Sequence, residues 1–189
     1  MDKTEEKILK AAIECVEEFG LNGATNRRIA EKAGVNLAAI NYYYRSKENL
    51  ILKVMQTTLD NAFDWDDFAS LPGDTPQEFC VSIFCSLIEG GLSYPGISRA
   101  HFYDLLTAGD YESLIVKRYS GFIRKLVDEL ENRGSHLNKK DLEMACAQIS
   151  YACFMAILSP KLNEQGVGIN LFDLEMRKKF VLSLIDKLL

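Results

Sequence analysis

Tyr42, Tyr43 and Tyr44 stand in a row, with Arg27 and Arg28 before them and Arg45 and Lys47 after. A tyrosine pairs an apolar ring with a hydroxyl that reaches a phosphate oxygen, and arginine and lysine neutralise phosphate charge. Two small residues, Ala38 and Ala39, precede the tyrosines. At the start of an exposed helix they let the backbone approach a groove floor, where their methyls can meet a thymine methyl. Asn41 has the amide needed for an adenine edge or a phosphate. Lys47 opens a further helix, where its amine and nearby backbone N–H groups suit a phosphate. With Asn36 and Leu37 at its leading edge, this is the chemistry of a nucleic-acid surface.

The surrounding residues supply elements to hold that surface. Thr25 is placed to cap a short helix whose inner face is Ile29, Ala30 and Ala33. Gly34 stops it, and Asn36 is a natural cap for a second short helix over 37–43. Within that helix Ile40 and Tyr44 are four apart and share a face, which turns 37, 38, 39, 41, 42 and 43 outward or sideways. Tyr44 needs a partner for its hydroxyl if its ring is buried. Two short helices joined by Ala-Gly-Val-Asn make a helix-turn-helix pattern. A longer amphipathic helix precedes it over 4–19, with Ile8, Ala11, Ala12, Cys15, Val16 and Phe19 at spacings of three and four.

Over about residues 5–55 the chain resembles the TetR family of bacterial regulators. The resemblance lies in Ile29-Ala30, Ala33-Gly34-Val35, the tyrosine cluster, and Ser46-Lys47-Glu48 followed by Leu50. It implies that Arg27, Ala38, Ala39, Asn41, Tyr42, Tyr43 and Lys47 face double-stranded operator DNA, with Arg28 flanking the groove. Asn41 stands where Tyr is commonest in the family, and Tyr44 where Phe is usual.

The bulk charge alone points elsewhere. Acids outnumber bases 27 to 22, for a net charge of −5. Residues 25–53 nonetheless hold six bases and two acids, so this stretch is +4 on a body of −9. Screening over about 8–10 Å lets such a patch meet phosphate on an acidic protein.

The remaining pattern is helical, with no strand alternation and no repeat. About nine helices are expected. They divide into a helix-turn-helix DNA-binding domain over 1–50 and a helical effector-binding and dimerisation domain over 51–189. Thr75-Pro76-Gln77-Glu78 is a strong helix start, whereas Ser159-Pro160 reads as a helix end. Residues 145–158 are apolar nearly all round, which requires burial on every side. With the last helix they suggest a four-helix homodimer interface using Ile149, Ala152, Ala156, Phe180, Val181, Leu184, Ile185 and Leu188. Two recognition helices about 34 Å apart could then read half-sites on one face of a duplex. The middle helices offer a lining for an effector: Phe79, Ile83, Leu87, Phe102, Tyr103, Phe122, Leu126, Tyr151 and Phe154. The scarcity of charge among them points to a small, largely apolar compound. The resemblance implies that this effector shifts the spacing of the DNA-binding heads and that the chain is a repressor.

Other functions find less support. The only histidines, His101 and His136, lie far apart, and no HExxH, P-loop, GxSxG or GxGxxG occurs, so no catalysis, metal or cofactor is expected. The five cysteines lack CxxC spacing and read as buried thiols. A thiol-based sensor, or a helical dimeric interaction protein without a small-molecule ligand, is the alternative. MDKTEEKILK lacks a signal-peptide pattern, and no run approaches the ~18 apolar residues of a membrane span. A cytoplasmic protein that does not engage membranes is expected.

Overall fold

In the computed structural model, residues 2–189 are described, and they form eleven helices and no strand. The order is α1 Lys3–Gly23, α2 Asn26–Ala33, α3 Leu37–Tyr44, α4 Lys47–Ala62, α5 Trp65–Ala69, α6 Pro76–Ser93, α7 Pro95–Ala108, α8 Leu114–Asn132, α9 Lys139–Leu158, α10 Pro160–Val167 and α11 Leu174–Leu188. The all-α architecture matches the sequence pattern, but two short helices exceed the nine expected. α5 starts because the Asp64 carboxylate accepts from Asp66 N–H at 2.9 Å and two further acids fill the first turn. α10 starts at Pro160, which lacks the N–H that a first helical turn leaves unpaired anyway, so Ser159-Pro160 opens a helix as well as ending one.

The helices form two compact units, residues 1–61 with 94–115, and residues 62–93 with 116–189. In the first, α1 packs on α2 and α7, and α2 packs on α3. Its core gathers Ile8, Ala12, Val16, Ile29, Ile40, Leu50 and Val54, with Ile97 and Ala100 of α7. Glu17 of α1 caps the start of α7: its carboxylate accepts from Ile97 N–H at 2.8 Å. Thr58 of α4 and His101 of α7 meet at 3.0 Å.

Burial lowers the His101 pKa from 6.5 to about 4. Between those values the unfolded chain binds a proton that the folded chain refuses, so stability is complete above pH 6.5 and falls as acid is added. We expect His101 to remove about 2 kcal/mol of unfolding free energy between pH 7 and pH 5. Urea titrations of His101→Gln and the parent at both pH values measure this, and an identical pH slope in the two would refute it.

The second unit is built on α6, against which α9 and α11 pack. Phe79, Phe84, Ile88, Leu126, Leu130, Leu142 and Ile149 are fully buried there. Phe122 anchors an aromatic group with Phe63, Trp65, Phe68 and Phe84 at centroid distances of 5.5–6.4 Å. Arg177 is buried yet satisfied in part, donating to Leu171 O at 3.1 Å and to the Glu89 carboxylate at 2.9 Å. α9 is long and apolar enough to cross a membrane by length and composition, but its buried face is packed on α6 as a core helix. All five cysteines are buried free thiols, and burial raises the pKa of each.

Candidate nucleic-acid interface

Capping and turn chemistry fix the geometry of α2 and α3. Thr25 Oγ1 accepts from Arg28 N–H, and Asn36 Oδ1 accepts from Ala39 N–H at 2.9 Å. Between the helices Gly34 takes φ 67°, ψ 34°, a left-handed conformation that a side chain would strain. Its N–H satisfies the carbonyl end of α2, and Val35 N–H returns to Ala30 O at 3.0 Å.

Ile40 and Tyr44 point into the first core, at 0% and 7% exposure. The Tyr44 hydroxyl donates to Glu5 O at 3.2 Å, and burial pushes its pKa up to about 12. The buried hydroxyl therefore has the partner it requires. Turning these two inward leaves Leu37, Ala38, Asn41 and Tyr42 exposed on the opposite side, with Ala39 and Tyr43 half-buried beside them. Tyr42 is the most prominent, at 75% exposure, and its ring meets Tyr43 edge-on at 5.0 Å.

The charged candidates fall into two groups. Arg27 is exposed on α2. Arg28 and Lys47 are engaged at the end of α1: Arg28 donates to Gly23 O at 2.8 Å and lies over the Phe19 ring, and Lys47 Nζ donates to Leu21 O at 3.3 Å. Asn36 spends its side-chain oxygen on the cap of α3, leaving its amide N–H₂.

Two further residues join the surface: Arg45, which the sequence marks only as one base of the patch, and Asp2. Arg45 is exposed at the C-cap of α3 with φ 70°, beside Tyr44 and Ser46. Asp2 is foreseeable from its spacing only as a helix cap. Its Oδ1 does accept from Thr4 N–H at 2.8 Å, but its Oδ2 also accepts from the Tyr43 hydroxyl at 2.7 Å. Those hydrogen bonds, Thr4 first and Tyr43 second, hold the Asp2 carboxyl below the usual range.

The effector candidates are divided between the units. Phe102 and Tyr103 belong to the first, Tyr103 being 44% exposed; the other seven belong to the second. Phe79, Ile83, Phe122 and Leu126 are buried in one cluster, with Leu87 and Phe154 packed against it, whereas Tyr151 is 60% exposed. Tyr119, passed over in the sequence, joins this group: its ring lies 5.5 Å from Phe154 and 6.1 Å from Tyr151. Its hydroxyl is buried, with Tyr151 and Ser150 as its polar neighbours, and burial above all raises its pKa.

Of the dimer candidates, Ile149, Ala156, Val181 and Ile185 are buried in the core of their own unit, and Ala152, Phe180, Leu184 and Leu188 are half-buried. The exposed stripe of α9 is Met144, Gln148, Tyr151 and Met155. A helix apolar on all sides carries no periodic signal to say which face meets its own core, so candidates drawn from it fall on both the inward and the half-buried sides.

Residues 8–54 match the family model for bacterial regulatory proteins of the tetR family. The HTH-type transcriptional regulator RutR of Escherichia coli K12 is 31% identical over 129 residues, 65% of this chain and 56% of the relative. The chain thus spans little more than half the length of that curated relative. Among solved structures, the fatty acid degradation regulator FadR of Bacillus halodurans shares the fold at TM-score 0.72 and 16% identity, covering 98% of this chain and 95% of that one. FadR of Bacillus subtilis in complex with stearoyl-CoA does so at TM-score 0.68 and 18% identity, covering 95% and 96%.

Proposed function

We propose that this chain is a member of the TetR family of bacterial regulatory proteins, a dimeric repressor that binds operator DNA through α3 and releases it on binding a small effector. One observation carries the reading. α3 buries Ile40 and Tyr44 and leaves Leu37, Ala38, Asn41 and Tyr42 to solvent, so its outer face is small and flat at one end and aromatic and polar at the other. Such a face enters a major groove at its alanine end and grips phosphates with its tyrosines. Arg27 and Arg45 lie exposed on the flanks, and Lys47 reaches a phosphate by exchanging the Leu21 carbonyl for it.

Dimerisation supplies the second recognition helix. The exposed stripe of α9, with Leu174 and Leu182 of α11, is the apolar surface that supports it. The effector reading rests on the second unit, where an aromatic group surrounds the buried Tyr119 hydroxyl. A largely apolar compound with one polar atom for that hydroxyl suits it. The FadR of Bacillus subtilis, a protein of the same fold, is solved in complex with stearoyl-CoA, whose stearoyl chain is apolar and whose coenzyme A portion is large and anionic. Such an effector acts only by binding the two states with different affinity.

The test is selection of bound fragments from random duplexes, followed by fluorescence anisotropy across a salt series. A half-site repeat and an affinity falling steeply with salt are expected. Lys47→Ala should flatten the slope of log K against log salt by about 0.9 per phosphate lost. Tyr43→Ala should weaken all sequences alike, and Asn41→Ala should change the preference among them. An affinity no greater than that of an unrelated acidic protein would end the regulator reading.

Asp2 gives a prediction of opposite sign. Its carboxylate holds the Tyr43 hydroxyl and places a negative charge where phosphate would approach. Asp2→Asn removes that charge and weakens the hold on the hydroxyl, since an amide oxygen is a poorer acceptor than a carboxylate, so DNA affinity should rise about threefold at low salt and less at high salt. A fall in affinity on the same titration would mean that Asp2 orients Tyr43 for DNA.

A further inference from the structure

A groove of about 470 Å³ runs through the first unit. α4 and α7 form its walls, and residues 110–115 close it. Ile51, Leu52, Met55, Leu59 and Ile115 give it an apolar lining. Every side chain there with a full charge is acidic: Glu48, Asp104, Asp110 and Glu112. His101 and Ser113 also line it, and the His101 Nδ1 and Ser113 Oγ atoms are buried with no hydrogen-bond partner.

The hydrogen bonding at His101 defines what is missing. Thr58 Oγ1 donates its one proton to Val54 O at 2.9 Å. With that proton on Val54 O, the 3.0 Å contact with His101 Nε2 is an imidazole N–H donating to the hydroxyl oxygen. Nε2 carries the ring proton, so Nδ1 is a bare lone pair. Burial keeps the imidazole neutral at physiological pH, so that lone pair persists. A buried acceptor without a donor costs stability until something supplies one.

We propose that this groove is a binding site for an organic cation, an ammonium or amidinium that donates N–H to His101 Nδ1, sets its charge among the four carboxylates and lays an apolar body along α4. The volume falls within the usual range for small-molecule pockets of ~300–1,000 Å³. An anion would face four like charges. Among the described residues, no group of three or more His, Cys, Asp or Glu is placed to hold a metal ion. The site belongs to the unit that carries α3, and its claim is independent of the DNA reading.

The probe is 2-phenylethylamine, titrated into the full chain with methyl-labelled methionine. Met55 lies in the groove, whereas Met144, Met155 and Met176 belong to the second unit and serve as internal controls. Saturable shifts of the Met55 methyl and the His101 ring are expected. The neutral 2-phenylethanol and the N,N,N-trimethyl derivative, which has charge but no N–H, should each bind at least about tenfold more weakly. His101→Phe should abolish the preference for the amine over its trimethyl derivative. Asp104→Asn, an exposed position that leaves the fold intact, should weaken the amine but not the alcohol. Equal binding of all three compounds, shifts confined to the second-unit methionines, or no saturation would overturn the proposal.

Discussion

Ala38→Glu should lower affinity for a selected operator at least about a hundredfold while leaving the unfolding temperature within about 2 °C of the parent. The two effects separate because Ala38 is the second residue of α3 and is exposed. In a helix's first turn an acid is favoured by the partial positive charge of unpaired N–H groups, and glutamate is a good helix former. Folding therefore loses nothing appreciable. Binding loses twice. The longer side chain holds the backbone of α3 away from the groove floor, and its carboxylate meets a field of phosphates. A poor contact at one base step costs about 1–3 kcal/mol, and a dimer makes it at both half-sites. A hundredfold corresponds to about 2.7 kcal/mol, near the lower end of that doubled range. Anisotropy titrations against selected and scrambled duplexes, beside a thermal melt, decide the matter. Parent-like affinity with an unchanged melt would mean that α3 presents some other surface to DNA.

That prediction could be written almost wholly from the sequence, and the reason is local. Thr25, Gly34 and Asn36 fix α2, the turn and α3 through hydrogen bonds spanning three to five residues, so residue order alone nearly determines the geometry. Once those helices are set, the spacing of Ile40 and Tyr44 determines which side of α3 faces out. The Asp2–Tyr43 bond joins residues 41 apart, and neither residue type announces the other. The His101–Thr58 contact, 43 apart, is of the same kind. The sequence marked His101 only as a histidine without a catalytic partner.

In the second unit the difficulty is different. The apolar residues of α6, α8, α9 and α11 are plain in the sequence, but their division between core, effector surface and partner surface depends on how the helices rotate against one another. Ile149 and Val181 go to the core, whereas Met144 and Met155, equally apolar, stay outside. The segments 65–69 and 160–167 were obscured by length, since one or two turns give too few positions for a periodic signal.

Gly96→Ala tests a contact of the non-local kind. Gly96 lies inside the first turn of α7 and is buried. A Cβ there would overlap the carbonyl oxygen of Glu17, backbone of α1 that no rotamer change can move. α7 must withdraw from α1, and its start carries three further interactions with it. The Ile97 N–H loses the Glu17 carboxylate 80 residues away in sequence, and Ile97 and Ala100 leave the core they share with α1. Overpacking of this severity, added to a lost charge-assisted hydrogen bond, should cost about 3 kcal/mol or more, or roughly 8 °C in the melt of a chain this size. Gly90→Ala is the matched control. That position lies within α6, and an added Cβ meets nothing within 4 Å. There the substitution should stabilise by about 0.5–1 kcal/mol, because alanine has less backbone freedom to lose on folding. The same chemical change thus carries opposite signs at two helical glycines, and the packing of α1 on α7 is the reason. Equal melting shifts for the two variants would show that α7 does not seat on Glu17 as described.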